Sequence, residues 1–141
     1  MKFKKSLGQN LLVDKNILKK ILSLASFENK NIIEIGAGTG NLTAEILKLT
    51  PNKLICIEKD KIFAKNLKTF FKNNKNLSVL NGDILKLNLK RLISQGTIII
   101  GNLPYNISTQ ILIKFIRFNP WPPKYKKLIF MFQKEVAEKI I

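Results

Sequence analysis

Five short apolar runs alternate along the chain with segments whose apolar residues recur at helical spacing. Short unbroken apolar runs are typical of strands that are buried on both faces, and such strands form parallel sheets covered by helices. The alternating order therefore predicts a doubly wound α/β fold with right-handed crossovers. The predicted strands are residues 31–35, 53–57, 77–80, 97–100 and 127–132.

The segments between these runs predict helices, each with one apolar stripe. Asp14 is placed to cap the first helix, because its carboxylate can accept hydrogen bonds from the free N–H groups of a first turn. Residues 85–94 carry a weaker helical pattern, residues 135–141 begin a last helix, and the prolines within residues 120–123 predict a loop. The stripes consist of Ile17, Leu18, Ile21 and Leu22; of Leu42, Ile46 and Leu47; of Phe63, Leu67, Phe70 and Phe71; and of Ile111, Leu112, Phe115 and Ile116.

The composition excludes several classes of protein. With 141 residues, 45% of them hydrophobic, the chain predicts one globular domain rather than a disordered basic tail. No apolar run approaches the ~18 residues of a membrane span, and polar residues interrupt what would be a signal peptide, so a cytoplasmic protein is expected. The chain has no histidine and one cysteine, Cys56, which excludes imidazole catalysis and predicts neither a disulfide nor a metal site.

The net charge of +16 comes from 25 Lys and Arg against 9 Asp and Glu. A charge of this size suggests a polyanionic partner such as nucleic acid. The 23 lysines and 2 arginines are also what a genome rich in A and T would place on any solvated surface, so the charge alone leaves both explanations open. Opposite one apolar stripe the lysines form a basic stripe, which consists of Lys61, Lys65, Lys68, Lys72 and Lys75.

A glycine-rich segment separates the first predicted strand from the following helix. Gly36, Gly38 and Gly40 let the backbone approach a ligand closely, although a tight structural turn needs glycines as well. A dinucleotide site expects glycine or alanine three residues after the second glycine, where this chain has Asn41. The spacing therefore favours a nucleoside cofactor that lacks a diphosphate.

Acidic residues follow the second and third predicted strands. Glu58 lies about twenty residues beyond the glycines, where a carboxylate can accept hydrogen bonds from both ribose hydroxyls of a nucleoside. A solvated acid at a helix start is the alternative for Glu58. Asp83 is placed to accept from the exocyclic amine of an adenine, or else to form an Asx turn after Gly82.

The segment after the fourth predicted strand is the most specific feature. An adenine amine is a poor nucleophile, because its lone pair is delocalised into the ring, and acceptors must hold its two protons to turn that lone pair toward an electrophile. The side-chain oxygen of Asn102 and the main-chain carbonyl of Leu103 can be those acceptors. Pro104 would fix the turn, and Tyr105 offers a ring on which an extruded base can stack.

Taken together, these motifs resemble those of the ribosomal RNA adenine N6-dimethyltransferase family. The resemblance rests on residues 7–12, 33–40, 102–109 and 132–137, which occur in the family's order. It implies a Rossmann-like methyltransferase fold, S-adenosylmethionine as methyl donor, and dimethylation of two adjacent adenosines near the 3′ end of small-subunit ribosomal RNA during ribosome assembly. The implied cofactor contacts are Asn10, Leu12, Gly36, Gly38, Glu58, Asp83 and Asn102, and the implied catalytic residues are Asn102, Leu103, Pro104 and Tyr105.

The resemblance also carries implications for organisation. Residues 1–141 would form the N-terminal cofactor-binding domain, without the terminal antiparallel hairpin and the helical RNA-binding domain of the family, and a monomer that acts on the pre-ribosomal small subunit is expected. Glu34 would either support the methionine end of the cofactor or bond to the backbone of the glycine segment.

Three other functions stay open at this point. The chain could be an inactive remnant that binds ribosomal RNA as an assembly factor. It could also belong with the sister macrolide-resistance enzymes that methylate large-subunit ribosomal RNA, although Leu103 and residues 133–137 favour the small-subunit enzymes. An NAD-dependent oxidoreductase is disfavoured by Asn41 and by the lack of a proton relay.

Overall fold

The computed structural model describes residues 15–103 and 106–132, and within these it contains one five-stranded parallel sheet. The order of the strands is β3-β2-β1-β4-β5, and every neighbouring pair is parallel. Helices cover both faces, which confirms the doubly wound α/β fold. The strands are β1 (Asn31–Ile35), β2 (Lys53–Glu58), β3 (Leu77–Asn81), β4 (Ile98–Asn102) and β5 (Lys127–Met131); the helices are α1 (Lys15–Leu22), α2 (Asn41–Leu47), α3 (Lys61–Phe70) and α4 (Ser108–Ile116).

Two hydrophobic cores lie on opposite faces of the sheet. Because successive side chains of a strand point to opposite faces, Ile32 belongs to the core under α1, α2 and α3, while Ile33 and Ile35 belong to the core under α4. Phe115 of α4 is fully buried in the second core. Burial on both faces explains why the strand sequences are continuously apolar rather than alternating.

The backbones of β1 and β4 approach each other closely at the end of the sheet where the strands finish. A Cβ atom added to Gly101 would lie 2.7 Å from the carbonyl oxygen of Ile35, which is too close for any side chain. The register pairs Ile35 with Gly101 on one side and with Ile57 on the other. Glycine at position 101 is therefore a packing requirement of the central strand pair.

Three residues of the predicted apolar stripes are exposed instead of buried. Ile17, Phe70 and Ile116 have exposed fractions of 45%, 78% and 57%. Each is the immediate chain neighbour of a residue that occupies the core position, and consecutive helical residues lie about 100° apart around the axis, so both cannot face the sheet. The prediction that Phe70 lies on the buried face of α3 was therefore wrong, whereas the helices predicted around Ile17 and Ile116 are present.

The predicted helix over residues 85–94 is also wrong in extent. Only Leu89–Arg91 forms a short 3₁₀ turn, capped by the Asn88 side chain, which accepts a hydrogen bond from the Lys90 N–H at 3.2 Å. The Asp83 carbonyl closes a separate turn by accepting hydrogen bonds from the N–H groups of Lys86 and Leu87. Two short turns thus replace one helix, because the polar side chains at residues 83 and 88 each begin a separate turn.

The strand boundaries differ from the predictions by one or two residues. β2 and β3 each extend one residue further, and β4 runs from Ile98 to Asn102 rather than over residues 97–100. Glu58 and Asn102 are consequently the last residues of their strands. The Asp14 cap, Asn10, Leu12, Pro104, Tyr105 and the helix over residues 135–141 lie outside the described residues. Within the described part of the chain, no helix has the length and hydropathy to cross a membrane.

Candidate functional site

The predicted site residues collect at the carboxyl edge of the sheet, where the strand order reverses between β1 and β4. Ligands of open α/β sheets bind at this kind of position. Glu58 and Asn102 end the two strands that flank β1, and the glycine turn, residues 36–40, follows β1 itself. Since neighbouring strands lie about 4.8 Å apart, the ends of β2 and β4 are separated by about 10 Å.

The three glycines of this turn all have positive φ. The angles are 72° at Gly36, 57° at Gly38 and 88° at Gly40, which L side chains rarely adopt, so the G-x-G-x-G spacing follows from the turn's conformation. The Gly36 N–H donates to the Ile57 carbonyl at 2.9 Å, which ties the turn to β2. An added Cβ at Gly38 would have no neighbour closer than the Gly36 oxygen at 4.0 Å. The turn therefore leaves open space beside its backbone.

Glu58 is buried and held by the backbone on both carboxylate oxygens. Its Oε1 accepts from the Gly38 N–H at 2.8 Å, and its Oε2 accepts from the Asp60 N–H at 2.9 Å. Burial raises the pKa of Glu58, and these two hydrogen bonds oppose that rise. Each oxygen accepts one N–H in this arrangement and keeps acceptor capacity for a ligand hydroxyl. The carboxylate is thus oriented before any ligand arrives.

Asp60 connects this carboxylate to the start of α3. Its Oδ1 accepts from the N–H groups of Ile62 at 2.8 Å and Phe63 at 3.0 Å, so Asp60 is the N-cap of the helix. The same residue donates its own N–H to Glu58. Asp60 was not predicted as a functional residue, although an aspartate directly before a helical stripe is a recognisable capping signal.

The end of β3 is joined to the end of β2 through Asn81. The Asn81 side-chain amide donates to the carbonyl oxygens of Glu58 at 2.9 Å and of Lys59 at 3.1 Å. Asp83 follows two residues later and accepts from the Leu85 N–H through Oδ1 at 2.9 Å, which is the Asx turn that the sequence allowed. Its Oδ2 lies 3.7 Å from the Lys59 ammonium. Asp83 is therefore fixed near Glu58, with one oxygen used by the turn.

Lys114 links α4 to the turn that carries Asp83. Its ammonium donates to the carbonyl oxygens of Ile84 at 2.6 Å and of Leu87 at 2.9 Å. Burial lowers the pKa of Lys114, and the nearby charge of Asp83 opposes that change. The sequence carried no signal for this contact, because it joins residues about thirty positions apart that meet only through the packing of α4 on the second core.

The β4 end of the edge carries neutral groups. Asn102 is the last strand residue and is partly exposed, and Leu103 is buried in the second core while its N–H donates to the Met131 carbonyl at 3.2 Å. Pro104 and Tyr105, which complete the predicted catalytic segment, lie outside the described residues. The register, in which Gly101 pairs with Ile35, thus brings the backbone of Asn102 to the same edge of the sheet as the glycine turn.

Glu34 bonds to side chains rather than to the backbone of the glycine turn, whereas its expected role at the methionine end of the cofactor stays a prediction. It is buried within the sheet, and its Oε1 accepts from the Thr43 hydroxyl at 2.6 Å and from the Cys56 thiol at 3.5 Å. Burial is the largest effect on Glu34 and raises its pKa to about 7. Burial also raises the pKa of Cys56, in keeping with an inert core thiol. The cluster bonds β1 to α2 and β2 below the glycine turn, rather than to the turn's backbone.

The acceptor groups at this edge of the sheet suit a nucleoside ligand. Glu58 and Asp83 offer carboxylate oxygens at neighbouring strand ends for hydroxyl and amine donors, and the open side of Gly38 admits close approach of a ligand to the backbone. Among the residues that the structure describes, no three His, Cys, Asp or Glu side chains come together as a metal site requires.

Comparison with known proteins gives a consistent result. The chain matches the model of the family described as ribosomal RNA adenine dimethylase over residues 1–141. It is 47% identical over 144 aligned positions to ribosomal RNA small subunit methyltransferase A of Pelagibacter ubique, covering 100% of this chain and 53% of that protein. The corresponding protein of Anaplasma marginale is 40% identical, with 97% of this chain and 50% of that protein covered. The chain thus spans about half the length of the curated relatives it matches.

Solved structures resemble this fold over most of the chain. A dimethyladenosine transferase from Plasmodium falciparum superposes with a TM-score of 0.77 at 33% identity, covering 93% of this chain and 46% of that one. The 23S rRNA methyltransferase ErmE superposes with a TM-score of 0.78, covering 92% of this chain and 50% of that one, and its 24% identity supports the fold alone.

Proposed function

The chain belongs to the ribosomal RNA adenine dimethylase family, and on that basis we propose that it binds S-adenosylmethionine and dimethylates adenosines at N6 in small-subunit ribosomal RNA. The finer proposal concerns two adjacent adenosines near the 3′ end of that RNA, modified during ribosome assembly by a monomer. Residues 1–141 would supply the cofactor-binding part of the enzyme.

The observation that carries this proposal is the pairing of Glu58 with the glycine turn. The carboxylate accepts from the Gly38 N–H at 2.8 Å, directly beside the open side of that glycine. A nucleoside held there can donate its ribose hydroxyls to Glu58, and Asp83 lies at the next strand end to receive the adenine amine. Gly36 would line the same pocket, and the family resemblance adds Asn10 and Leu12.

The β4 end would hold the second reactant, the target adenine. S-adenosylmethionine supplies an electrophilic methyl group on a sulfonium when it is bound. Asn102 and the Leu103 carbonyl would accept the two protons of the target amine and turn its lone pair toward that methyl group. Because the Leu103 side chain is buried, its main chain is the part that can take this role. Pro104 would fix the turn, and Tyr105 would stack on the base.

Proton transfer in this scheme needs no strong base. The amine is an attackable nucleophile once its protons are held, and the extra proton released after each transfer can pass to water. The absence of histidine from the sequence agrees with such a mechanism. Positioning by neutral acceptors and the charge of the cofactor would supply most of the rate enhancement.

The proposal that the RNA substrate belongs to the small ribosomal subunit rests on the names of the relatives. Those cited at 40% and 47% identity are small-subunit methyltransferases, whereas the large-subunit enzyme ErmE is similar at the level of fold. Leu103, where the sister enzymes typically carry isoleucine, favours the same choice.

Two measurements test the proposal. Calorimetric titration with S-adenosylmethionine should give saturable heat, and incubation with labelled cofactor should place label on small-subunit RNA, recovered after digestion as N6,N6-dimethyladenosine. Label only on large-subunit RNA would move the chain to the sister enzymes. Absence of cofactor binding would refute the proposed activity and leave an RNA-binding role.

A further inference from the structure

A second pocket lies at the amino edge of the sheet, opposite the candidate site. Its volume of about 330 Å³ is within the range of ligand sites. Lys30 precedes β1, Ile98 begins β4 and Lys127 begins β5, so the starts of three neighbouring strands meet around it. Lys126 and the segment over residues 25–29, which connects α1 to β1, form the remaining walls. We call this cavity the amino-edge pocket.

Hydrogen bonds fix the β5 side of the amino-edge pocket. The Lys126 N–H donates to the Thr97 carbonyl at 2.7 Å, and Lys127 is the register partner of Ile98 in β4. The Lys127 ammonium donates to the Leu24 carbonyl at 2.9 Å, which joins β5 to the segment after α1. Both lysines are therefore positioned by the sheet, although their side chains are exposed.

Most side chains that line the pocket can donate hydrogen bonds. Three of them carry ammonium groups, one carries a hydroxyl and one carries an amide. These donors belong to Ser26, Asn29, Lys30, Lys126 and Lys127. Among the described residues that line the pocket, Glu28 is the one with a carboxylate. Three ammonium groups against one carboxylate leave the pocket positive, so its chemistry suits an anion with several oxygen acceptors.

The protein leaves most of this positive charge without a counter-ion. Neither Lys30 nor Lys126 forms an ion pair within residues 15–103 and 106–132, where the ion pairs involve Lys48 and Lys59. Lys127 uses one of its three N–H groups on a carbonyl and keeps two for a ligand. Ammonium groups that the protein does not neutralise raise the local potential and attract polyanions.

Further lysines flank the pocket along the same edge. On one side, Lys53 begins β2, and its N–H donates to the Lys30 carbonyl at 3.4 Å. On the other side, the Lys124 carbonyl accepts from the Gly96 N–H at 2.8 Å, just before β4. Lys53 and Lys124 are both exposed. Lysine positions thus extend from β2 to β5, which is about 14 Å at 4.8 Å between strands, so the edge suits consecutive phosphates better than a single one.

We propose that the amino-edge pocket and its flanking lysines bind phosphate groups of the RNA backbone at a place separate from the target adenine. The inference rests on the proposed function, because it takes the same ribosomal RNA as the partner. β2 has 6 residues, so its amino end lies about 16 Å from Glu58, and a different segment of the folded RNA occupies this edge. Phosphate contacts position a protein on nucleic acid without reading its sequence, so the pocket orients the substrate.

The test measures the affinity of the 141-residue chain for small-subunit ribosomal RNA at several salt concentrations. Lys30→Gln with Lys126→Gln should lower the slope of log affinity against log salt by about 1.4 to about 1.8. Each phosphate contact contributes about 0.7 to this slope on a single strand and about 0.9 on a double helix. Lys65→Gln with Lys68→Gln, which removes two exposed charges from α3, is the matched control and should keep the slope.

Removing the carboxylate gives a test of opposite sign. Glu28→Gln should raise RNA affinity about threefold, because a like charge leaves the neighbourhood of the bound phosphates. Glu45→Gln removes the same charge from an ion pair with Lys48 outside the pocket, and it should change RNA affinity less. Lys30→Arg with Lys126→Arg should keep the wild-type slope, since the guanidinium retains the charge. Melting temperatures check that each variant is folded.

The outcomes separate this inference from the proposed function. Equal slopes for the two glutamine pairs, or a Glu28→Gln chain that binds RNA no more tightly than Glu45→Gln, would overturn the RNA contact even if methyl transfer is observed. Saturable heat with inorganic phosphate that the Lys30 and Lys126 pair abolishes, with an unchanged RNA slope, would make the pocket a small-anion site instead. A chain without methyl transfer whose slope falls as expected would refute the activity and keep the contact.

Discussion

The two halves of the carboxyl edge are built from different chemistry. On the β1, β2 and β3 side, Glu58 and Asp83 are carboxylates whose oxygens already accept backbone N–H groups. On the β4 side, Asn102 and Leu103 offer neutral oxygen acceptors. In the proposed enzyme, the first half would bind the cofactor through charged acceptors that are already oriented, whereas the second would orient the target amine without taking its proton.

Replacing Asn102 should have the largest effect, because it removes the acceptor of the neutral half. For Asn102→Ala we expect kcat to fall on the order of 1,000-fold, as for loss of one preorganised polar contact to a reacting group, with RNA affinity within about twofold of the wild type. Single-turnover methyl transfer and RNA binding measure the two quantities. Asn52→Ala, at the opposite end of β2, is the control, and equal loss of rate and RNA affinity would contradict this role.

Glu34, which lies below the charged half, should make the stability of the protein depend on pH. Its pKa is raised from 4.5 to about 7 in the folded protein, so between these values the unfolded chain loses this proton while the folded chain retains it. Stability should therefore fall as pH rises from about 4.5 to about 7, by on the order of 3 kcal/mol. Urea unfolding at several pH values measures this slope.

Glu34→Gln should remove most of that slope, since the amide does not titrate. Glu45→Gln should keep it, because Glu45 lies at the surface in an ion pair with Lys48. A wild-type profile that stays flat over this interval would show that Glu34 remains ionised in the cluster with Thr43 and Cys56.

Replacing Glu58 should weaken the binding of the cofactor. In Glu58→Gln one carboxylate oxygen becomes an NH₂ donor, which faces the N–H of either Gly38 or Asp60 and cannot accept a ribose hydroxyl. We expect S-adenosylmethionine affinity to fall about thirtyfold, in line with a lost hydrogen bond to a charged group. Calorimetry measures the loss, and cofactor affinity equal to that of wild type would place the ribose elsewhere.

Lys114 connects α4 to the turn that carries Asp83, and of the replacements considered its own should change stability and ligand binding least. Lys114→Met removes the ammonium that holds the Ile84 and Leu87 carbonyls and should cost about 1–2 kcal/mol of stability. If the turn also positions Asp83, the variant should discriminate less between S-adenosylhomocysteine and its inosine analogue, which lacks the adenine amine. Lys86→Met, an exposed lysine of the same turn, is the control, and unchanged discrimination would limit Lys114 to a structural role.

Most of the fold could be predicted from the sequence, because the central strands are buried on both faces and all five apolar runs are bounded by turn residues. Phe70 illustrates one kind of error, since there the apolar pattern extends one residue beyond the arc that reaches the sheet. The predicted helix over residues 85–94 is another, because polar side chains at residues 83 and 88 begin separate turns there. The proximity of Glu58 to the glycine turn also followed from strand order, since parallel strands end at the same edge.

The internal contacts of the site could not be predicted. The hydrogen bond from Thr43 to Glu34 depends on how α2 packs over β1, and the contact of Lys114 depends on the packing of α4 over the second core. Neither residue stands in a spacing that marks it. Such contacts are set by three-dimensional packing between distant segments, which a local pattern does not contain.

Gly101 has a consequence for the reaction itself. The missing side chain lets β4 lie against β1, and so sets how far Asn102 stands from the glycine turn. In-line transfer between two bound molecules tolerates little error, since a displacement of about 1 Å can cost about 100-fold in rate. In the proposed enzyme, the distance between methyl donor and acceptor would thus depend on the absence of a Cβ atom at Gly101, the residue directly before Asn102.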